Sequence, residues 1–260
     1  MTTPDVPLRL EIAVEVPGTA EQVWHAIATG AGITSWFLPT DLEGREGGRV
    51  VTHMGEESSP GTVTGWDPPR RLAYEEPDWA SLVGEEGGDV TPLATEFLVE
   101  ARSGGTCVVR VVSSAFGTGA DWEQEFFDEM EKGWVPFFDH LRMYLTHFPG
   151  QAATPLSVWA DHAGSPAAVA EAMGRALGID AVGQAVKIHG LAGEVDTMED
   201  ERVFLRLSEP LPGYMALGAY SKGEGLAGAQ IAGYLFSPEA PAYIEREHAT
   251  WRSWLENLAV

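Results

Sequence analysis

Cysteine is almost missing from this chain. Cys107 is the single thiol in 260 residues, so no disulfide forms within it and stability rests on burial, as in proteins of a reducing cytosol. Basic residues are scarce too: 16 Lys and Arg stand against 39 Asp and Glu, a net charge of −23. The imbalance is spread over both halves, nine cations against 25 anions in residues 1–150 and seven against 14 beyond them. Nucleic acid and anionic membrane surfaces bind through Lys and Arg that neutralise phosphates, so this balance argues against both as partners. No apolar run approaches the ~20 residues that cross a bilayer. The opening "MTTPDVPLRLEIAVEV" lacks the basic and apolar regions of a secretory signal. The expected setting is the cytoplasm, without membrane insertion.

Chemical signatures are thin as well. The seven histidines are scattered, with no H-x-x-x-H and no C-x-x-C, so no metal is expected. There is no G-x-S-x-G elbow. The glycines of "GLAGEVD" and "GEGLAGAQ" do not lead into the Lys-Ser/Thr of a phosphate loop, and no cofactor is expected. Cys107, among the valines of "TCVVRVVSS", reads as a small buried hydrophobe rather than a nucleophile.

What the chain does have is aromatic side chains and clear periodicity. Leu8, Leu10, Ile12, Val14 and Val16 share one parity, with Arg9, Glu11 and Glu15 on the other, the mark of a half-buried strand. Pro17-Gly18 ends it, and Thr19 with Gln22 forms a capping box opening "AEQVWHAIAT". Gly30 and Gly32 are expected to end that helix, with "ITSWFL" supplying another short turn. Strand signals follow in "GRVVTHM", "GTVTGW" and "RLAYEE", the last two joined by the turn Asp67-Pro68-Pro69-Arg70. Residues 77–92, "PDWASLVGEEGGDVTP", read as a long solvated surface loop. "LATEFLVEA" and "TCVVRVVSS" flank Ser103-Gly104-Gly105 as a hairpin, with Phe97, Val99, Cys107, Val109, Val111 and Ser113 inward and Glu96, Glu100 and Arg110 outward. Asp121 with Gln124 is an N-cap pattern for a helix reaching His147. Its stripe runs through Phe126, Met130, Trp134, Phe137, Leu141, Leu145 and Phe148, and Pro136 is expected to kink it.

"FPGQAATP", residues 148–155, is the expected boundary, placing one domain at 1–148, a linker at 149–155 and a second domain at 156–260. Beyond it the order restarts. Ser165 and Pro166 open a helix that Gly178 closes. "AVKIHGLAGEV", "RVFLRLS", "YMALGAYS" and "AQIAGYLFS" are strand candidates, and a last helix from Ala240 carries Ile244, His248, Trp251, Leu255 and Leu258 on one stripe. His248 there reads as a hydrogen-bonded core histidine. The second domain is expected to be α+β, a degenerate copy of the first.

One strand, short helices, an antiparallel meander and a long closing helix make an α+β domain whose curved sheet wraps that helix. "VWHAI…SWF", "EGREGGRV", "GTVTGWDPPRRLAYEE", "GGTCVVRVVSSAFG" and "EKGWVPFFDHLRMYL" occur in order over residues 8–148. They resemble the bacterial proteins similar to the activator of Hsp90 ATPase, within the START-like (SRPBCC, Bet v 1-like) superfamily. The resemblance implies a helix-grip fold with a hydrophobic cavity between sheet and long helix. Carried onto this chain, the lining it implies is Trp36, Phe37, His53, Met54, Tyr74, Phe97, Trp134 and Phe138. A small hydrophobic molecule, or a peptide segment, bound there without catalysis is the leading expectation. The alternatives are a cyclase- or dehydratase-like enzyme using His53 and Tyr74 as its proton-handling pair, and an interaction module acting on a chaperone. The sequence leaves a homodimer open, as it leaves open whether Trp36 and Phe37 fill the cavity or guard it.

Overall fold

The computed structural model describes residues 5–55, 57–83, 90–223 and 225–260. It divides into two compact units, Met1–Ala152 and Ala153–Val260.

The first unit opens with β1 (Val6–Pro17), α1 (Ala20–Ala28) and α2 (Gly30–Thr34). The Thr19 capping box is present: Gln22 N–H donates to Thr19 Oγ1 at 3.3 Å and Thr19 N–H donates to Gln22 Oε1 at 2.8 Å. Thr29, extended at φ −131° and ψ 145°, ends α1, and the glycines after it open the next helix instead of closing this one. Gly30 begins α2 and Gly32 lies inside it, where a Cβ would come within 2.0 Å of the His25 carbonyl oxygen. Only glycine lets the two helices approach that closely.

The meander then follows as β2 (Thr40–Leu42), β3 (Arg49–Met54), β4 (Glu57–Asp67), β5 (Arg71–Glu76), β6 (Leu93–Ala101) and β7 (Thr106–Gly117), closed by α3 (Asp121–His147). The sheet order is β1-β7-β6-β5-β4-β3-β2, antiparallel throughout, so the first strand pairs with the last from Val6↔Gly117 to Pro17↔Thr106. Period-two burial holds where it was expected. Cys107, Val109, Val111 and Ser113 of β7 are fully buried, whereas Arg110 on the other face pairs with Glu11 at 2.6 Å.

Two expectations need correction here. Residues 77–92 are not simply a surface loop, because Trp79–Val83 forms a 3-10 helix whose Trp79 is fully buried. Its indole N–H donates to the Thr91 carbonyl at 2.9 Å, and its ring lies 4.8 Å from Phe126 and 5.9 Å from Phe127. The "GEEGGD" run at 84–89, expected to be solvated, lies outside the described residues. The second correction concerns the start of α3. Asp121 is its first residue rather than its cap, and the N-cap, Ala120, makes no side-chain bond; Glu123 instead reaches back to the turn before the helix, where it accepts from Thr118 N–H, Thr118 Oγ1 and Gly119 N–H at 2.8–2.9 Å. Burial alone would raise the Glu123 pKa, but these donors hold the carboxyl below the usual range. Pro136 sits inside a helix that is assigned without a break from Asp121 to His147.

Among the described residues, the second unit repeats this topology with one strand fewer and without counterparts of α2 and the 3-10 helix. It runs β8 (Thr154–Ala163), α4 (Pro166–Leu177), β9 (Ala185–Ile188), β10 (Leu191–Glu199), β11 (Arg202–Glu209), β12 (Gly213–Gly223), β13 (Leu226–Leu235) and α5 (Ala240–Glu256). Its order, β8-β13-β12-β11-β10-β9, again pairs first strand with last. The candidate "AVKIHGLAGEV" is two strands, because His189 (φ 45°) and Gly190 (φ 80°) make a two-residue reversal between Ile188 and Leu191. The structure also adds β8, whose buried Leu156, Val158 and His162 fall on one parity. The Ser165 cap and the left-handed Gly178 stop are as expected. Trp251 and Leu255 of α5 are fully buried, and the Trp251 indole donates to Tyr243 Oη, whose hydroxyl donates to the His189 carbonyl. His248 is half-buried, with Nε2 3.3 Å from the Ser157 carbonyl.

Candidate functional site

A cavity of about 190 Å³ opens in the first unit between α3 and the strands β3–β6. On the helix side it is lined by Phe126, Met130, Gly133, Trp134 and Phe137, four of them on the apolar stripe and spaced three or four apart. Phe126, Met130 and Phe137 are only half-buried, while Leu141, Leu145 and Phe148 further along the stripe are fully packed. One helix face therefore serves two ends, a solid core near the C-terminus and a hollow toward the N-terminus. The sheet side contributes alternate residues: Thr52 and Met54 of β3, Tyr74 and Glu76 of β5, Leu93 and Thr95 of β6. Phe37 and Leu38, just beyond α2, and Leu82 of the 3-10 helix complete the wall.

Phe37 and Trp36, neighbours in sequence, have opposite roles. Trp36 is fully buried, and its indole N–H donates to the Ala26 carbonyl at 2.9 Å. The space it borders, shared with Phe97, Tyr74 and Leu72, measures about 10 Å³, roughly the room one water needs. Trp36 is a plug. Phe37 faces the larger cavity, its ring parallel to Trp134 within 8° at 5.2 Å and edge-on to Phe137 at 4.4 Å. The guard position belongs to Phe37.

Of the remaining expected residues, Met54, Tyr74 and Trp134 line the cavity. Phe97 and Phe138 do not; they are buried behind Trp134, each with its ring centroid 5.7 Å from the indole. His53 is misplaced by the sequence expectation. Successive residues of a strand point to opposite faces, and with Thr52 and Met54 on the cavity side His53 faces away. Its Nε2 lies 3.1 Å from Asp41 and its Nδ1 3.3 Å from Ser58, with 41% of the side chain exposed. A proton-handling pair of His53 and Tyr74 facing one ligand atom is thereby removed.

The polar groups that do reach the cavity are different ones. Glu76 accepts from Ser59 Oγ at 2.5 Å, and burial raises its pKa above the ordinary carboxylate range against the lowering effect of that bond. Burial, then the neighbouring Glu76 charge, push the Tyr74 phenol upward, while a bond to Thr95 opposes them. Thr95 Oγ1 in turn lies 3.2 Å from Ser113 Oγ. The Trp134 Nε1–H has no hydrogen-bond partner among the described residues. Glu76 was legible in principle, two residues past Tyr74 and so on the same face of β5. Thr95 was legible on the same ground, two residues before the inward Phe97, whereas Ser59 had no signal short of knowing which face of β4 turns inward.

Among the described residues no cluster of three or more His, Cys, Asp or Glu is arranged to hold a metal ion, and no helix is long and apolar enough to cross a membrane. The family model described as activator of Hsp90 ATPase homolog 1-like protein matches residues 17–146, half of the chain. The chain belongs to that family. The match spans α1 to the end of α3 and so contains every residue of the cavity wall. No curated protein matches. Among solved structures, the Aha1 dimer from Colwellia psychrerythraea is 16% identical over 53% of this chain and 96% of its own, with a TM-score of 0.43. CalU16 from Micromonospora echinospora is 19% identical over 54% of this chain and 76% of its own, TM-score 0.42. The di-domain ARO/CYC BexL from the BE-7585A biosynthetic pathway is 12% identical and covers 95% of both chains, TM-score 0.46. Outside the family match, the second unit carries two hollows of its own, about 420 Å³ between α4 and the β10–β11 turn and about 700 Å³ at the β9–β10 turn.

Proposed function

We propose that this family member binds a small, largely apolar molecule in the cavity between α3 and the sheet of its first unit. The observation that carries this reading is the ring set of Phe37, Phe126 and Phe137 around Trp134, only half-buried where the rest of the α3 stripe is solidly packed. Removing such rings from water is worth about 25 cal/mol per Å², so a hollow lined by them favours an apolar occupant over solvent. Apolar contact then supplies affinity, and the few polar groups at Tyr74, Glu76 and Thr95 fix orientation. A chaperone-directed role rests on family membership alone.

The test is native mass spectrometry and thermal shift against a panel of apolar and aromatic metabolites, with Trp134→Ala as the site control. Binding that the variant abolishes supports the reading. If no compound shifts the melting temperature, or if those that do act equally on the variant, the cavity is not the binding site.

A further inference from the structure

If an apolar molecule binds between α3 and the sheet, the premise shared with the proposed function, some feature of the wall must set its size. One row along α3 runs at steps of four and three through Phe126, Met130, Gly133, Phe137 and His140. The first four line the cavity. The last is buried, its ring 5.8 Å from that of Phe137. Large side chains occupy every position of this row except the middle one, which is a notch.

Glycine is the poorest helix former after proline. In mid-helix it lowers the folded-to-unfolded ratio about fivefold relative to alanine. Two structural needs could offset that cost, and neither is present. Gly133 continues α3 without a positive φ, so no special backbone conformation requires it. Nor does a neighbour press on it: a Cβ at Gly133 would meet no atom of the described residues within 4 Å, the Pro136 ring included. The glycines of α2 are the contrast. A Cβ at Gly30 would come within 2.7 Å of the Thr40 carbonyl oxygen, and one at Gly32 within 2.0 Å of that of His25. Those glycines admit protein backbone, whereas Gly133, half-buried between Met130 and Phe137, admits open space on the cavity side.

A notch of this kind controls size. The cavity measures about 190 Å³, against the ~150 Å³ apolar hollow that holds benzene. The margin of about 40 Å³ is on the scale of one water's share of liquid volume, and a methyl group is of similar bulk. A single side-chain carbon at position 133 therefore removes much of what separates a two-ring cavity from a one-ring cavity.

We propose that the apolar ligand lies directly against the α3 backbone at Gly133, and that this notch admits a molecule of two fused rings where a side chain would leave room for one. Gly133 is a specificity-determining residue that acts through the side chain it lacks.

Benzene and naphthalene, alike in chemistry and different in size, test this by calorimetric titration of the full chain. The wild type should bind naphthalene about five- to tenfold more tightly than benzene, from the extra apolar area removed from water. Gly133→Ala should lose at least about fivefold in naphthalene affinity, the low end for overpacking a filled site, and keep benzene within about twofold. Gly133→Leu extends the obstruction and should abolish naphthalene binding. The stability readout has the opposite sign: Gly133→Ala should melt about 2–4 °C higher than wild type, because the helix gains propensity and the new methyl strikes nothing. A glycine kept for the fold would give a lower melting temperature instead. Naphthalene affinity in Gly133→Ala within about twofold of wild type, a lower melting temperature in that variant, or a wild type that binds benzene as tightly as naphthalene overturns this inference. The apolar site stands in each case if Trp134→Ala abolishes the binding. If the wild type binds neither probe, the size assignment falls, and the site falls with it when the wider metabolite panel is also silent. If Trp134→Ala binds both probes unchanged, notch and site fall together.

Discussion

Replacing Trp36 by phenylalanine separates the plug from the guard. Trp36 is fully buried and donates its indole N–H to the Ala26 carbonyl. The substitution removes that bond, worth about 1 kcal/mol net, and the atoms of the five-membered ring, whose transfer and residual cavity cost about 1–2 kcal/mol more. A loss of about 2–3 kcal/mol in a unit of roughly 150 residues lowers the melting temperature by about 5–10 °C. Phe37 is half-buried at the cavity, so Phe37→Ala forfeits less of its burial, about 1–2 kcal/mol, and acts mainly on ligand. The assay is paired: thermal denaturation by circular dichroism, and affinity for whichever aromatic compound the wild type binds. Trp36→Phe should dominate the first measurement and Phe37→Ala the second. If Phe37→Ala is the more destabilising of the two, or if Trp36→Phe leaves the melting temperature within about 1 °C of wild type, a shift too small for the lost bond alone, Trp36 does not fill the core as described.

Three further substitutions probe the frame. Glu123→Gln removes the charge that accepts from Thr118 and Gly119 at the start of α3 and should cost about 1.5–3 kcal/mol at pH 7 by urea denaturation. Because the Glu123 pKa is lowered in the folded protein, this contribution is complete above the unfolded value near ~4.3 and fades as pH falls through the folded one, so variant and wild type should converge in acid. Glu76 has the opposite sign: its folded pKa is raised, stability is lost as pH climbs from the unfolded value through the folded one, and Glu76→Gln should flatten that limb of a melting-temperature profile from pH 4 to 8. Tyr74 is the other titratable group on the cavity wall, and its phenol, pushed upward, stays neutral across that range; a limb unchanged in the variant would show that Glu76 is not its source. Gly32→Ala drives a Cβ into the His25 carbonyl, which a helix backbone accommodates only by moving; an ordinary helical Gly-to-Ala change gains up to about 1 kcal/mol, so unchanged or higher stability by urea denaturation would contradict the close approach of α1 and α2.

The sequence by itself determined the local elements and their order, because those depend on short-range chemistry. Alternation from Leu8 to Val16, the Thr19–Gln22 box, the stripe from Phe126 to Phe148 and the Ser165 and Gly178 boundaries are all decided within one or two turns of chain. The family resemblance followed the same order of elements and supplied the helix-grip arrangement. Tertiary structure alone decided which face each residue took and how much space remained. His53 and Met54 are adjacent and both passed as lining, yet a strand turns only one of them inward, and only the pairing of β3 with its neighbours says which. Phe97 and Phe138 have the composition of a ligand wall but lie one layer behind it. The Asp121 pattern suggested a cap that α3 does not have, and only the fold shows Glu123 tying down the Thr118–Gly119 turn before it. Trp79 reads as a loop residue until the fold brings Phe126 and Phe127 against it. Trp36 and Phe37, indistinguishable by type and position, are separated by a difference no pattern encodes: one ring has a carbonyl and no room, the other is half-buried beside open space.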